Sequence, residues 1–173
     1  MKIFTLSVAV PVLSVLLSAQ ACAETQATRG GQLYPGQPAS REYEIRGAEV
    51  LDKGSGLVWQ RCSVGQSWVS GKGCEGNVEA FSFDDAQRLG FGPWRLPTQF
   101  EMAKLIDHGL AYEEQAPTTN VDAFPNMDRA RLWYWTSTPD GPFVAWYVSF
   151  VDGRFSLDGR NFKYAVRLVR DNP

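Results

Sequence analysis

Val144-Ala145-Trp146-Tyr147-Val148-Ser149-Phe150-Val151, followed by Asp152-Gly153 and then Arg154-Phe155-Ser156-Leu157, is the stretch that decides the fold class. Val144, Trp146, Val148 and Phe150 alternate with Ala145, Tyr147, Ser149 and Val151, the periodicity of a β-strand. Asp-Gly tolerates the left-handed backbone of a tight hairpin turn, so 154–157 is expected to return antiparallel to it. Leu132 to Ser137 before this unit and Tyr164 to Arg170 after it read as further strands, the last with Val166 and Leu168 alternating against Arg167 and Val169. The C-terminal part of the chain is therefore expected to be an antiparallel sheet.

Working toward the N-terminus, two short helices are expected. Ser82 caps the first, with Asp84 and Asp85 favouring its positive end, and it runs to about Leu89 before Gly90. Thr98-x-x-Glu101, preceded by Pro97, is a capping box that opens the second. Phe100, Ala103, Leu105 and Ile106 supply its apolar face, and Gly109 ends it. Further upstream, Glu49–Leu51 and Leu57–Arg61 flank the turn-rich Asp52-Lys53-Gly54-Ser55-Gly56 and predict a hairpin. The order of elements defines an α+β fold: an N-terminal hairpin, two short helices, then the antiparallel sheet.

The first 23 residues read as a signal peptide, with Lys2, an apolar run from Ile3 to Leu17, and Ala21-Cys22-Ala23 as a cleavage site. The run is shorter than the about 20 apolar residues of a transmembrane helix and contains Pro11. A lipoprotein reading would place lipid on Cys22, but Ala19-Gln20-Ala21 lacks the Leu usual three positions upstream of a lipidated cysteine. Residues 24–42 are polar, with Gly, Pro and Ser and no periodicity, and are expected to be a flexible leader to a domain spanning 43–173. Export to the periplasm or the exterior follows. Cleavage after Ala23 leaves Cys62 and Cys74, which in an oxidising compartment most simply form one disulfide. Closing so short a loop stabilises by about 3 kcal/mol on the chain-entropy account.

With 173 residues, 44% of them hydrophobic, the chain has enough apolar surface for one core. Its formal charge of −2 gives no footprint for nucleic acid. The charge is uneven. Residues 24–123 hold nine Lys/Arg against fourteen Asp/Glu, whereas 124–173 hold seven against five. Arg154, Arg160, Lys163, Arg167 and Arg170 fall in the basic end, and a guanidinium fork suits sulfate or carboxylate. The bland alternative pairs Arg167 with a buried Asp or Glu and leaves the others solvated. Trp133, Tyr134, Trp135, Trp146 and Tyr147 concentrate in the same sheet, and half of such a row should face outward. Tyr134 and Tyr147 are the preferred ligand contacts, since a hydroxyl suits a wet surface. Trp94 and Leu96 read as anchors of the second helix rather than as a sugar platform.

The ordered motifs Asp52…Gly56-Leu57-Val58-Trp59-Gln60-Arg61-Cys62, Gly92-Pro93-Trp94-Arg95-Leu96-Pro97-Thr98 with Glu101, Phe124-Pro125-Asn126, Tyr134-Trp135-Thr136-Ser137-Thr138-Pro139 and Val166-Arg167-Leu168-Val169-Arg170 resemble the Lcl C-terminal domain family of bacterial collagen-like adhesins. The resemblance covers about Glu49 to Arg170. It implies a compact domain related to the C-type lectin-like and formylglycine-generating-enzyme-like folds, and in the collagen-like adhesins that domain binds sulfated polysaccharide and supports attachment. This sequence has no Gly-x-y collagen segment, so no trimerising stalk is implied. The oxidase cysteine pair of the formylglycine-generating enzymes lies in their C-terminal region, whereas the last cysteine here is Cys74, so that activity is not implied.

Enzyme chemistry has little else behind it. His108 reads as a helix-end cation, and no Gly-x-Ser-x-Gly elbow or phosphate-binding glycine loop occurs. Asp122, Asn126 and Asp128 offer oxygens to a cation, without an EF-hand loop around them. The expectation is an exported, non-enzymatic binding or adhesion domain with no cofactor. Its expected ligand is a polysaccharide, anionic ones included, or a cell-envelope protein, met by Tyr134, Tyr147, Arg154, Arg160 and Lys163 of the C-terminal sheet. The alternative is a structural or protein-interaction subunit of an envelope assembly.

Overall fold

The computed structural model describes residues 42–107, 117–128 and 130–173. The expected signal peptide, Cys22, the leader up to residue 41, His108 and Gly109 lie outside the described residues. What is described is mostly β-sheet with short helices and one disulfide, Cys62–Cys74, whose Cα atoms are 5.4 Å apart.

The expected hairpin forms, and it is part of something larger. Strand β2 (Glu49–Asp52) pairs antiparallel with β3 (Leu57–Gln60) around a turn in which Asp52 accepts from Gly54 N and Ser55 Oγ. Two further strands extend it. Strand β1 (Tyr43–Arg46) pairs with β2, and β11 (Val169–Asp171) pairs with β3, giving a four-stranded sheet ordered β1-β2-β3-β11.

The second sheet has five strands. Strands β7 (Trp133–Asp140), β8 (Val144–Ser149) and β9 (Arg154–Gly159) form the expected antiparallel meander, with the Asp152-Gly153 turn between the last two. Strand β10 (Tyr164–Ala165) joins β7 in parallel and β6 (Ala80–Phe81) antiparallel, so the order is β6-β10-β7-β8-β9. The expected single strand from Tyr164 to Arg170 is therefore corrected. It is two strands in different sheets, and Val166, Arg167 and Leu168 cross between them fully buried. A period of two cannot distinguish one strand from a crossing in which every residue is covered.

Helix α1 (Phe83–Ala86) and helix α2 (Gln99–Ala103) begin where expected. The Ser82 hydroxyl accepts from Asp85 N, and Thr98 and Glu101 form both halves of the capping box. Both helices are shorter than expected, because they continue as tighter turns: Leu89 N donates to Ala86 O, and Ile106 N to Ala103 O. Phe100, assigned above to the apolar face of α2, is instead 56% exposed, while Met102, Leu105 and Ile106 are buried. Near the start of α2 the β7–β8 register shifts between Trp135 and Pro139. There Ser137 N donates to Pro97 O and Gln99 N to Thr138 Oγ1, which seats the helix on the sheet.

Both faces of the five-stranded sheet are covered. Tyr134, Val148 and Phe150 belong to the main core with Trp59, Met102 and Phe124. Trp135, Ala145 and the half-buried Tyr147 belong to a second cluster with Phe83, Leu96, Val166 and Leu168. The alternation read in 144–151 is real: Val148 and Phe150 face one core, and Ala145 and Tyr147 face the other.

Candidate functional site

An aromatic-walled cleft of about 350 Å³ opens beside the four-stranded sheet. Its lining includes Trp68, Phe91, Trp94, Gln60 and Glu49, and it reaches down to Ser63. Gln60 and Glu49 come from opposite register positions of β3 and β2.

Trp68 is delivered by a hairpin of β4 (Gln66–Val69) and β5 (Gly73–Gly76), in which it pairs with Cys74. Because Cys74 is bonded to Cys62 just beyond β3, the disulfide sets the distance of this hairpin from the sheet. A second tie is Asn126, whose Oδ1 accepts from Cys74 N at 3.2 Å. Gly73, with φ +92°, lets Asn126 approach: a Cβ there would lie 2.5 Å from Asn126 Oδ1. The Gln66 side chain closes the base, accepting from Ser63 N and donating to Asn126 O.

Phe91 and Trp94 are set opposite each other by a tight turn. Trp94 N donates to Phe91 O at 3.0 Å and Phe91 N to Trp94 O at 3.1 Å, with Gly92 at φ +54° between them.

Each tryptophan carries a guanidinium. Arg61 lies 4.0 Å from the Trp68 ring centroid and Arg170 lies 5.2 Å from that of Trp94. Both arginines are anchored from the rear. Arg61 donates to the carbonyls of Gly47, Asp122 and Ala123, and Arg170 donates to Glu49 Oε2 at 2.6 Å. Burial pushes the Arg61 pKa down, opposed by the nearby Asp122 charge. Neither indole N–H, nor the Gln60 side-chain amide, has a hydrogen-bond partner among the described residues.

Beneath the cleft, Arg167 is 1% exposed. The expectation that it pairs with a buried carboxylate is overturned: among the described residues it makes no ion pair. Its guanidinium donates to Gln60 O at 2.8 Å, to Arg61 O, and to Ser63 Oγ at 3.2 Å. It also sits 4.8 Å from the Phe124 ring centroid and 5.7 Å from that of Tyr134. Burial lowers its pKa, opposed by Tyr134.

The sheet residues expected to meet a ligand are not gathered into one site. Tyr134 is 0% exposed, and its hydroxyl is 2.7 Å from Ser63 Oγ, so it serves the core and not a surface. Tyr147 is half-buried, 4.8 Å from the Tyr164 ring and edge-on to Trp135. Tyr164 donates to Asp158 at 2.5 Å, and burial followed by that carboxylate pushes its pKa up. Arg154 pairs with Asp152 at 3.5 Å on the surface. Arg160 pairs with Asp84 and lies 4.7 Å over Phe83, fastening the loop after β9 to α1. Lys163 is exposed near Asp85, whose carboxyl is held low first by the Ser82 hydroxyl and then also by Arg88 and Lys163. The expected cluster of free arginines is therefore dispersed into local pairs.

The side chains of Asn126 and Asp128 serve the backbone, Asn126 Oδ1 accepting from Cys74 N and Asp128 Oδ1 from Ala130 N, and the Asp122 main-chain carbonyl accepts from Arg61. Among the described residues no group of three His, Cys, Asp or Glu side chains is placed to hold a metal ion. No helix among them is long and apolar enough to cross a membrane.

Fold and cleft together define a small, disulfide-braced β-rich domain with an aromatic surface cleft. Its particular kinship comes from comparison with known proteins. The family model for the Lcl C-terminal domain matches residues 48–170, and the chain belongs to that family. Membership points to a surface- or adhesion-related domain. No curated protein matches the chain in sequence.

The sequence did not single out Trp68, and it favoured an anchoring role for Trp94, for identifiable reasons. Trp68 stands in a Gly- and Ser-rich segment with no periodicity, and Trp94 lies beside a helix cap that suggests an anchor. The available sign was a lone aromatic between the two cysteines, in a segment otherwise rich in Gly and Ser.

Proposed function

We propose that this chain is an exported, non-enzymatic binding domain of C-type lectin-like character that recognises a polysaccharide at a cell surface or envelope. The observation that carries the reading is the cleft of Trp68, Phe91 and Trp94, with the unpartnered Gln60 amide among the aromatics. A sugar ring offers an apolar C–H face and a rim of hydroxyls, and the cleft offers the complement of both. The disulfide supports an oxidising compartment. The site lies beside the four-stranded sheet rather than on the C-terminal sheet, where the large aromatics pack on one another and Arg154 and Arg160 pair with carboxylates.

A second reading, a protein-interaction subunit of an envelope assembly, is favoured by one feature. Phe143, 80% exposed, and Phe162, 51% exposed, flank Arg160 at the far end of the molecule. A glycan array probed with the purified protein separates the two. Retention on polysaccharide supports the first reading. A stoichiometric co-purifying protein with no glycan retained would replace it with the second.

A further inference from the structure

We infer that the cleft of Trp68, Phe91 and Trp94 is the docking site of the chain's own Pro35-Gly36-Gln37-Pro38, which lies just before β1, within one molecule. Docking of this segment does not depend on the glycan reading. Its consequence, competition with a glycan for the cleft, does rest on that reading.

The first argument is chemical. Pro35 and Pro38 are three residues apart. A polyproline II helix has three residues per turn and rises about 3.1 Å per residue, so two such rings fall on one side of it, about 9 Å apart. Segments of this spacing dock on grooves lined by aromatics, because a pyrrolidine ring needs only apolar surface and its backbone has little entropy left to lose. Three aromatic side chains line this cleft, and any part of each ring offers such surface. A polyproline II backbone makes no hydrogen bonds of its own, so its carbonyls need outside donors. The Gln60 side-chain amide supplies one, having no partner among the described residues. Charge agrees with this. Arg29 and Arg41 bracket the motif, and the ionisable group lining the cleft is the Glu49 carboxylate, of which Oε2 takes Arg170.

The second argument is reach. Glu42 is fixed to the sheet, its carbonyl accepting from Lys53 N at 3.1 Å. Tyr43 stands opposite Asp52 and Arg46 opposite Glu49, so the chain enters β1 at the end of the sheet away from the cleft. Glu49 and Gln60 lie about 10 Å along the strands from that end and at most two strand spacings across, about 10 Å, a path of about 15 Å. Pro38 is four residues before Glu42 and Pro35 is seven. At about 3.1 Å per residue these span about 12 Å and about 22 Å, which bracket the path. A tether this short gives the segment an effective concentration of about a millimolar, so even a weak contact forms within one molecule. A glycan binding at Trp68 and Trp94 would then have to displace it, and its apparent affinity falls with the fraction of clefts left vacant.

The test follows the indole N–H resonances of Trp68 and Trp94 in the isotope-labelled protein, assigned through Trp68→Phe and Trp94→Phe. The inference expects both to shift in the Pro35→Ala, Pro38→Ala double variant, while those of the buried Trp59 and Trp135 stay in place. A synthetic peptide of residues 29–41, added at about millimolar concentration, should return them to the parent positions. Unchanged Trp68 and Trp94 resonances in the double variant overturn the inference. Parent resonances that move on about tenfold dilution assign the segment to the cleft of a second copy, which overturns docking within one molecule. On a polysaccharide retained by the glycan array, the double variant should bind about two- to tenfold more tightly than the parent. Equal affinity with shifted resonances overturns the competition and leaves the docking standing. Retention on no polysaccharide by either protein overturns the glycan reading, and the resonances alone then decide the docking.

Discussion

The cleft beside the four-stranded sheet and the meander of β7, β8 and β9 carry the same residue types, aromatics and arginines, in opposite arrangements. In the meander the large aromatics face one another: Trp135 meets Phe83, Tyr147 and Tyr164, and Tyr134 meets Phe150. Its arginines pair with nearby carboxylates, Arg154 with Asp152 and Arg160 with Asp84. In the cleft the tryptophans meet arginines, and those arginines are anchored on carbonyls or on Glu49. The first arrangement closes a surface. The second holds aromatic surface open at fixed positions, because an indole backed by a tethered guanidinium has little freedom to collapse into the cleft. Burying such cations without a carboxylate is costly unless their N–H groups are satisfied, and here carbonyls and a hydroxyl satisfy them.

The contrast fails at its base if Arg167 is dispensable. Arg167→Met leaves Gln60 O and Arg61 O without their buried donor, while Ser63 Oγ keeps the Tyr134 hydroxyl. At about 1–3 kcal/mol for each buried unsatisfied group, the expected loss is about 3 kcal/mol or more, measured by urea denaturation. Unchanged stability would show that the floor of the cleft does not depend on it.

The disulfide tests whether the cleft wall is separable from the meander. Cys62→Ser with Cys74→Ser is expected to cost about 3 kcal/mol. Hydrogen exchange should then quicken at Gln66–Gly76 well before β7 and β8. Equal loss of protection in both regions would mean that the hairpin and the meander open as one unit.

The start of α2 belongs to the meander side and gives a smaller, pH-marked effect. Thr98→Ala should cost about 1 kcal/mol with cleft binding retained. Burial pushes the Glu101 carboxyl up, but Arg95 and the Thr98 N–H outweigh it and hold its pKa below the ordinary 4.5. A carboxyl lowered by folding stabilises above its unfolded pKa and loses that contribution as the pH falls through the folded one. Glu101→Gln should therefore be less stable than the parent at neutral pH and show a flatter decline below pH 4.5. A parallel decline in both proteins would contradict this.

The smallest effects belong to the exposed charges of the meander. Arg154→Ala and Lys163→Ala should each change stability by less than about 0.5 kcal/mol and leave glycan retention unchanged. A loss of retention in either would move the site back to the C-terminal sheet.

The legible parts of the molecule were those fixed by local chemistry. The β2–β3 hairpin, the Ser82 and Thr98 caps, the Asp152-Gly153 turn and the Cys62–Cys74 pair each depend on residues within about a dozen positions of one another. The illegible parts depend on partners far along the chain. Val169 pairs with Trp59 and Ala165 with Tyr134, and nothing in Tyr164–Arg170 marks the change of sheet between them. Arg167 reads as part of an anion-binding cluster or as the partner of a buried carboxylate until carbonyls of residues 60 and 61 are found around it. The cleft was hidden for the same reason, since Trp68 and Trp94 meet across a gap set by a disulfide and a turn.

One measurement bears on the central claim most directly: the affinity of a single hexasaccharide, cut from a polysaccharide retained on the glycan array, for the parent, Trp68→Ala and Arg160→Ala, titrated by calorimetry. The account predicts that Trp68→Ala weakens binding about tenfold while Arg160→Ala stays within about twofold of the parent. A loss on Arg160→Ala with Trp68→Ala unchanged would contradict it and assign the ligand to the far end of the molecule.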